Sequence, residues 1–159
     1  MPPPPVTTIT LHRGVTVVLL MLMTILIVMM TLWISGKSYS KIDPVPFEEI
    51  RHLAQRLEHR QIPTQILALI IVPIVANILM FVPWGFLLFI ALHTKERPTV
   101  QIYVLTVLLG LTFTLAIEAY QYFLPSRVAD INDVIYNTMG TTFGAMLGHL
   151  RERVRFEFE

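Results

Sequence analysis

The chain has 159 residues, of which 54% are hydrophobic and 14% charged, with a formal net charge of +1 and no cysteine. An ordinary soluble domain carries about 25% charged residues, and a disordered chain reverses this balance. Lack of cysteine excludes disulfides, thiolate metal centres and a cysteine nucleophile, and the near-neutral charge leaves no basic footprint for nucleic acid.

The placement of the charges sets the class. Of 23 Asp, Glu, Lys and Arg side chains, 22 lie outside four long stretches, 15–34, 66–92, 100–123 and 134–150. The single exception is Glu118. About 20 helical residues cross the ~30 Å hydrocarbon layer, so a run of 18 or more with few charges reads as a membrane span. The fourth stretch reaches that length when Ile131 and Asn132 extend it. The expected fold is therefore an all-α membrane protein, a bundle of four transmembrane helices with a short amphipathic helix in the first loop.

Residues 1–14 form a tail that begins with the proline-rich segment Met1–Pro5, expected to be extended. The first span, 15–34, follows Arg13. Its apolar run exceeds the 7–15 residues of a signal-peptide core and no A-x-A-like cleavage site follows, so it reads as a retained anchor. The loop 35–65 contains Pro44 and Pro46, and then Phe47, Ile50, Leu53 and Leu57 at helical spacing with charges between them. That pattern predicts an amphipathic helix, either on the membrane surface or packed against the ends of the bundle. The second span, 66–92, would measure about 40 Å as a straight helix, more than the core thickness. Pro73 and Pro83 offer kinks, so the helix either tilts or breaks near Pro83-Trp84-Gly85. The third span, 100–123, ends before Pro125, the fourth covers 132–150, and 151–159 is a polar tail.

An even number of spans, here four, puts both termini and the 93–99 loop on one side. That side holds Arg13, Lys95, Arg97, Arg151, Arg153 and Arg155, close to the spans. The opposite side holds Lys37, Lys41, Arg51, Arg56, Arg60 and Arg127, five of them in a loop that also carries Asp43, Glu48, Glu49 and Glu58. Charge density near span ends favours cytoplasmic termini and a multi-pass protein of the cytoplasmic (inner) membrane. Trp33, Trp84, Tyr39, Tyr120 and Tyr122 fit interface belts.

Ionisable residues within spans are functional candidates by default. Glu118 should face the bundle and find a cation or hydrogen-bond donors, with Arg127 as the nearby cation. Gln121 lies on its face, which Thr114 and Gly110 continue at steps of four. The turn supplies Arg127, Asp130 and Asp133, and the fourth span adds Asn137. Gly140, Gly144 and Gly148 form overlapping G-x-x-x-G motifs that let a neighbouring helix approach. The short turn makes the third span the expected neighbour. Asn77, Pro83 and Gly85 are the corresponding polar and geometric residues of the second span.

The pattern E-x-x-Q-x-x-x-P-x-R-x-x-D-x-x-D-x-x-x-N-x-x-G-x-x-x-G, from Glu118 to Gly144, resembles the VanZ-like family of membrane proteins. Asn77-Ile-Leu-Met-Phe-Val-Pro-Trp-Gly matches that family's N-x-x-x-F-x-P-x-G segment. The resemblance assigns 66–150 to a VanZ-like region and implies a small bacterial envelope protein, in a family named for a component linked to teicoplanin resistance. It gives no role to the first loop.

Three functions follow as candidates. The first is binding of a lipid-linked wall precursor, a lipid head group or a membrane protein partner at an outer-face cluster of Glu118, Gln121, Arg127, Asp130, Asp133, Asn137 and Asn77, with a possible glycopeptide-resistance role. The second is an intramembrane enzyme acting on a phosphorylated lipid through a metal held by Glu118, Asp130 and Asp133. The third is an ion or proton translocator using Glu118. No G-x-S-x-G, P-loop or H-E-x-x-H signature is present, and the histidines at 12, 52, 59, 93 and 149 form no H-x-x-x-H and are expected to be solvated. Binding without a cofactor or resident metal, and without turnover, is the preferred reading.

Overall fold

The computed structural model describes residues 13–33, 42–58, 64–94, 96–125 and 127–153. The proline-rich start, Tyr39, Lys95, Ser126, the tail 154–159 and the side chains of Trp33 and Leu57 lie outside the described residues.

Five helices and two short strands follow in chain order: α1 (Arg13–Trp33), β1 (Ile42–Asp43), α2 (Glu48–Glu58), α3 (Thr64–Leu92), α4 (Thr99–Phe123), β2 (Ala129–Asp130) and α5 (Ile131–Arg153). Among the described residues, α1, α3 and α4 are long and apolar enough to cross a membrane. In lipid only such segments satisfy every backbone group internally, so the chain is a membrane protein. The fourth expected span is present as a helix of 23 residues, INDVIYNTMGTTFGAMLGHLRER. It falls outside the apolar set because its glycines, threonines and asparagines are spent on packing against other helices.

Of the two alternatives for the second span, the break near Pro83 does not occur. α3 runs continuously through Pro73 and Pro83. Each proline removes one ladder hydrogen bond, but helices packed alongside compensate in a membrane bundle. α3 makes its most extensive contact with α5, and further contacts join α4 to α5 and α1 to α3.

The larger apolar cluster holds Ile27 from α1, Phe81, Trp84 and Leu88 from α3, and Ile117 from α4. Trp84 is buried, stacks on Phe113 with ring centroids 5.1 Å apart, and donates from Nε1 to Thr24 Oγ1 at 2.9 Å. It is a core residue, not the interface anchor its amphipathic ring suggested. His149 likewise departs from the solvated expectation. It is half-buried, edge-on to Tyr103 and Phe89 at 5.7 and 6.3 Å.

The glycine stripe of α5 does not face α4 as the short turn suggested. A Cβ at Gly140 would overlap the Ile78 carbonyl, one at Gly144 the Val82 carbonyl and the Phe86 amide, and one at Gly148 the Phe89 ring, all on α3. Gly85 of α3 reciprocates against the Thr141 backbone. Contacts rise together along both chains, so α3 and α5 run parallel and touch backbone to backbone, the geometry small-xxx-small motifs permit. Chain adjacency misleads here because α4, antiparallel to both, still lies beside α5 on another face.

α1 and α4 are also parallel, with Thr31 beside Gln121 and Ile27 beside Ile117. Arg13 and Arg153 therefore lie at one end of the bundle, and the α4–α5 turn at the other.

Candidate functional site

α4 buries Thr106, Gly110, Thr114, Ile117, Glu118 and Gln121. This is the polar face expected at steps of three and four, and it meets three different elements. Gly110 leaves room for the Thr141 side chain. Thr114 Oγ1 accepts from Asn137 Nδ2 at 2.9 Å. Gln121, 3% exposed, donates from Nε2 to the Thr31 carbonyl of α1 at 3.1 Å.

Glu118 is 6% exposed, and its Oε2 accepts the backbone N–H of Asp130 at 2.9 Å. The expected direct partner was Arg127. The turn geometry gives that place to an amide, because β2 runs back beside the last turns of α4. The guanidinium acts from further off. Burial lowers the proton affinity of Arg127, and the nearby Asp133 and Glu118 oppose this in part.

Asp133 sits in the first turn of α5, where a carboxylate meets the positive end of the helix dipole. It accepts a hydrogen bond from Asn77 Nδ2 of α3, so the asparagine of the second expected span does meet another helix. Thirteen residues of α3 precede Asn77, leaving about 20 Å of helix beyond the contact. α5 thus starts well short of α3, and the shoulder it leaves is occupied by the first loop.

The strand pairing and the Phe47 contact by which the loop is held there were not foreseen from the sequence. β1 pairs parallel with β2, Ile42 opposite Ala129 and Asp43 opposite Asp130. The Phe47 N–H donates to Asn132 Oδ1 at 2.7 Å across 85 residues. Phe47 adopts a positive φ of 59°, an uncommon conformation for a bulky residue, and its ring meets Tyr136 at 6.3 Å. Asn132 is 4% exposed, and its own N–H donates to Asp130 Oδ1 at 2.7 Å. Burial raises the proton affinity of Asp130, the Asn132 hydrogen bonds lower it, and the facing Asp43 raises it further. Asp43, Phe47 and Asn132 are therefore site residues missed by motif reading. α2 continues from this strap with Leu53 buried and touches α3.

The structure thus brings Glu118, Arg127, Asp130, Asp133, Asn137 and Asn77 to one end of the bundle, with Gln121 one turn beyond Glu118 and turned toward α1. Among the described residues, no three carboxylate or imidazole groups converge to hold a metal ion, so the ligand set of Glu118, Asp130 and Asp133 required by a metal-dependent enzyme is not formed. Two buried polar atoms of the cluster, Arg127 Nε and Asn137 Oδ1, have no hydrogen-bond partner among the described residues. Beside the cluster, Val28, Phe113, Ala116, Ile117 and Tyr120 line an apolar groove of about 370 Å³ between α1 and α4.

The family model described as VanZ/LLP1 matches residues 15–152. No curated protein and no solved structure matches the chain.

Proposed function

The chain belongs to the VanZ/LLP1 family, and from that premise we propose that it binds the phosphate-bearing head group of a membrane lipid or lipid-linked wall precursor at the α4–α5 end of the bundle. In this reading α5 is a fourth span, both termini are cytoplasmic, and the cluster lies toward the outer face of the cytoplasmic membrane. The observation that carries the proposal is Arg127, whose buried Nε finds no acceptor among the described residues, on a guanidinium that stays protonated in proteins. An unmet buried donor on a cation costs more than a neutral one, and a phosphate oxygen is the acceptor that arginine geometry suits best. The groove beside Ile117 and Tyr120 offers an acyl chain a place next to that head group. A role in resistance to teicoplanin-type antibiotics, to which the family is linked, would follow if the bound molecule is a wall precursor.

The test is mass spectrometry of lipids retained by protein purified in mild detergent. A phospholipid or polyprenyl-phosphate species at near-stoichiometric ratio is expected on the wild type and not on Arg127→Gln. Equal retention by both proteins would reject the site.

A further inference from the structure

Arg127 Nε is buried and has no hydrogen-bond partner among the described residues. A phosphate therefore reaches it only if an element at the α4–α5 end moves. Two of the elements there are firmly held. α5 lies backbone to backbone on α3, and β2 is tied to α4 by the Asp130 N–H on Glu118 Oε2. The strap of residues 42–47 is held by less. It has a two-residue pairing with β2, the Phe47 N–H on Asn132 Oδ1 at 2.7 Å, and the Phe47 ring against Tyr136.

Three features work against these attachments. The register sets Asp43 opposite Asp130, and like charges facing each other across a strand pair weaken it. Phe47 is kept at a φ of 59°, a conformation that costs a bulky residue energy and persists only while its surroundings enforce it. Ile42, Val45 and Phe47 remain exposed, so the strap gains little from burying apolar surface. Segments with few buried contacts open locally while the rest of a fold stays intact. Detachment would end at α2, which the buried Leu53 anchors. The Val45 N–H bond to Asp43 Oδ1 lies within the strap and survives its release. Resting on the head-group reading above, we infer that residues 42–47 form a lid, closed in this structure, whose release from β2 and Asn132 admits the phosphate to Arg127.

The chain has no cysteine, so a reversible lock can be built at the paired positions Ile42 and Ala129. Neighbouring strands lie about 4.8 Å apart, within the ~4.4–6.8 Å Cα separation that a disulfide accepts. Full-length protein carrying Ile42→Cys and Ala129→Cys, stripped of lipid in detergent, is mixed with phosphatidylglycerol or with a polyprenyl phosphate. Native mass spectrometry follows the uptake. The oxidised protein is expected to load about tenfold more slowly than the same protein after reduction, because binding then waits on a blocked conformational change. The reduced protein should match wild type. Asn132→Ala, which leaves the Phe47 N–H unmet and loosens the strap, tests the lid without a cross-link and should load faster than wild type. Equal loading by the oxidised and reduced forms, or no acceleration in Asn132→Ala, would overturn the lid and leave the head-group reading intact. Failure of the two cysteines to cross-link would overturn the pairing on which the lid rests. Binding of neither probe to wild type would overturn both readings.

Discussion

α5 has two faces that use opposite means of contact. Toward α3 it shows Gly140, Gly144 and Gly148, and the two backbones touch with almost no side chain between them. Toward α4 it shows Asn137 and Thr141, and the contact is made through hydroxyls, an amide and the space left by Gly110. The first face is closed: every position is filled by α3 backbone or ring. The second opens toward the turn, where, among the described residues, Arg127 Nε and Asn137 Oδ1 are buried without a hydrogen-bond partner. Small residues on one face give rigidity through dispersion and close approach. Polar residues on the other leave hydrogen-bonding capacity that a ligand can complete.

The largest effect should come from adding bulk to the closed face. Gly144→Leu is expected to destabilise by about 3 kcal/mol or more, since overpacking a filled contact shifts backbone. Even Gly144→Ala should lower the thermal midpoint in detergent, because its Cβ alone overlaps Val82 and Phe86. Gly14→Ala, with nothing within 4 Å, is the neutral control. Equal midpoints for Gly144→Ala and Gly14→Ala would dissolve the distinction between the faces.

A smaller loss should follow from the open face. Glu118→Leu leaves the Asp130 N–H without an acceptor, which costs about 1–3 kcal/mol. Glu118→Gln keeps a carbonyl oxygen for it and should stay within about 1 kcal/mol of wild type. Chemical denaturation of the two variants separates the amide contact seen here from the direct ion pair with Arg127 that the sequence suggested. Were the ion pair dominant, Glu118→Gln and Glu118→Leu would fall together.

The smallest effect is the pH response of the strap. Asp130 has its proton affinity raised chiefly by burial and then by Asp43. A carboxylate whose folded affinity exceeds its unfolded affinity penalises the folded state when ionised in both. That penalty is present above the raised value and disappears as pH falls toward the ordinary carboxylate range. The wild type should therefore gain stability relative to Asp130→Asn on acidification from neutral pH. The midpoint of the wild type minus that of the variant should rise as pH falls through that window; a difference that moves in favour of the variant would contradict the raised proton affinity of Asp130.

Much of this was legible in the sequence for identifiable reasons. The polar face of α4 appears as Gly110, Thr114 and Glu118 at steps of four, because a helix repeats every 3.6 residues. The gathering of Glu118, Asp130, Asp133 and Asn137 follows from the short turn that joins their helices, whereas the Asn77–Asp133 contact was not legible, since Asn77 lies in mid-helix. The partner of the glycine stripe was misread, since a short turn argues for adjacency and says nothing of which face of α5 is closest to which helix. The strap was invisible. Two-residue strands leave no periodicity, and the Phe47–Asn132 bond joins residues 85 apart. Trp84 was misplaced because its ring suits both an interface and a core, and only Thr24 and Phe113 decide between them.

The most direct measurement is the amount of phosphate-bearing lipid held per mole of Arg127→Gln, determined beside its thermal midpoint and those of wild type and Gly144→Ala. If the open face is the binding face, Arg127→Gln loses its bound lipid while melting within a few degrees of wild type, and Gly144→Ala melts lower. If Arg127→Gln keeps a full complement of lipid at an unchanged midpoint, the cluster at the α4–α5 turn is not the head-group site.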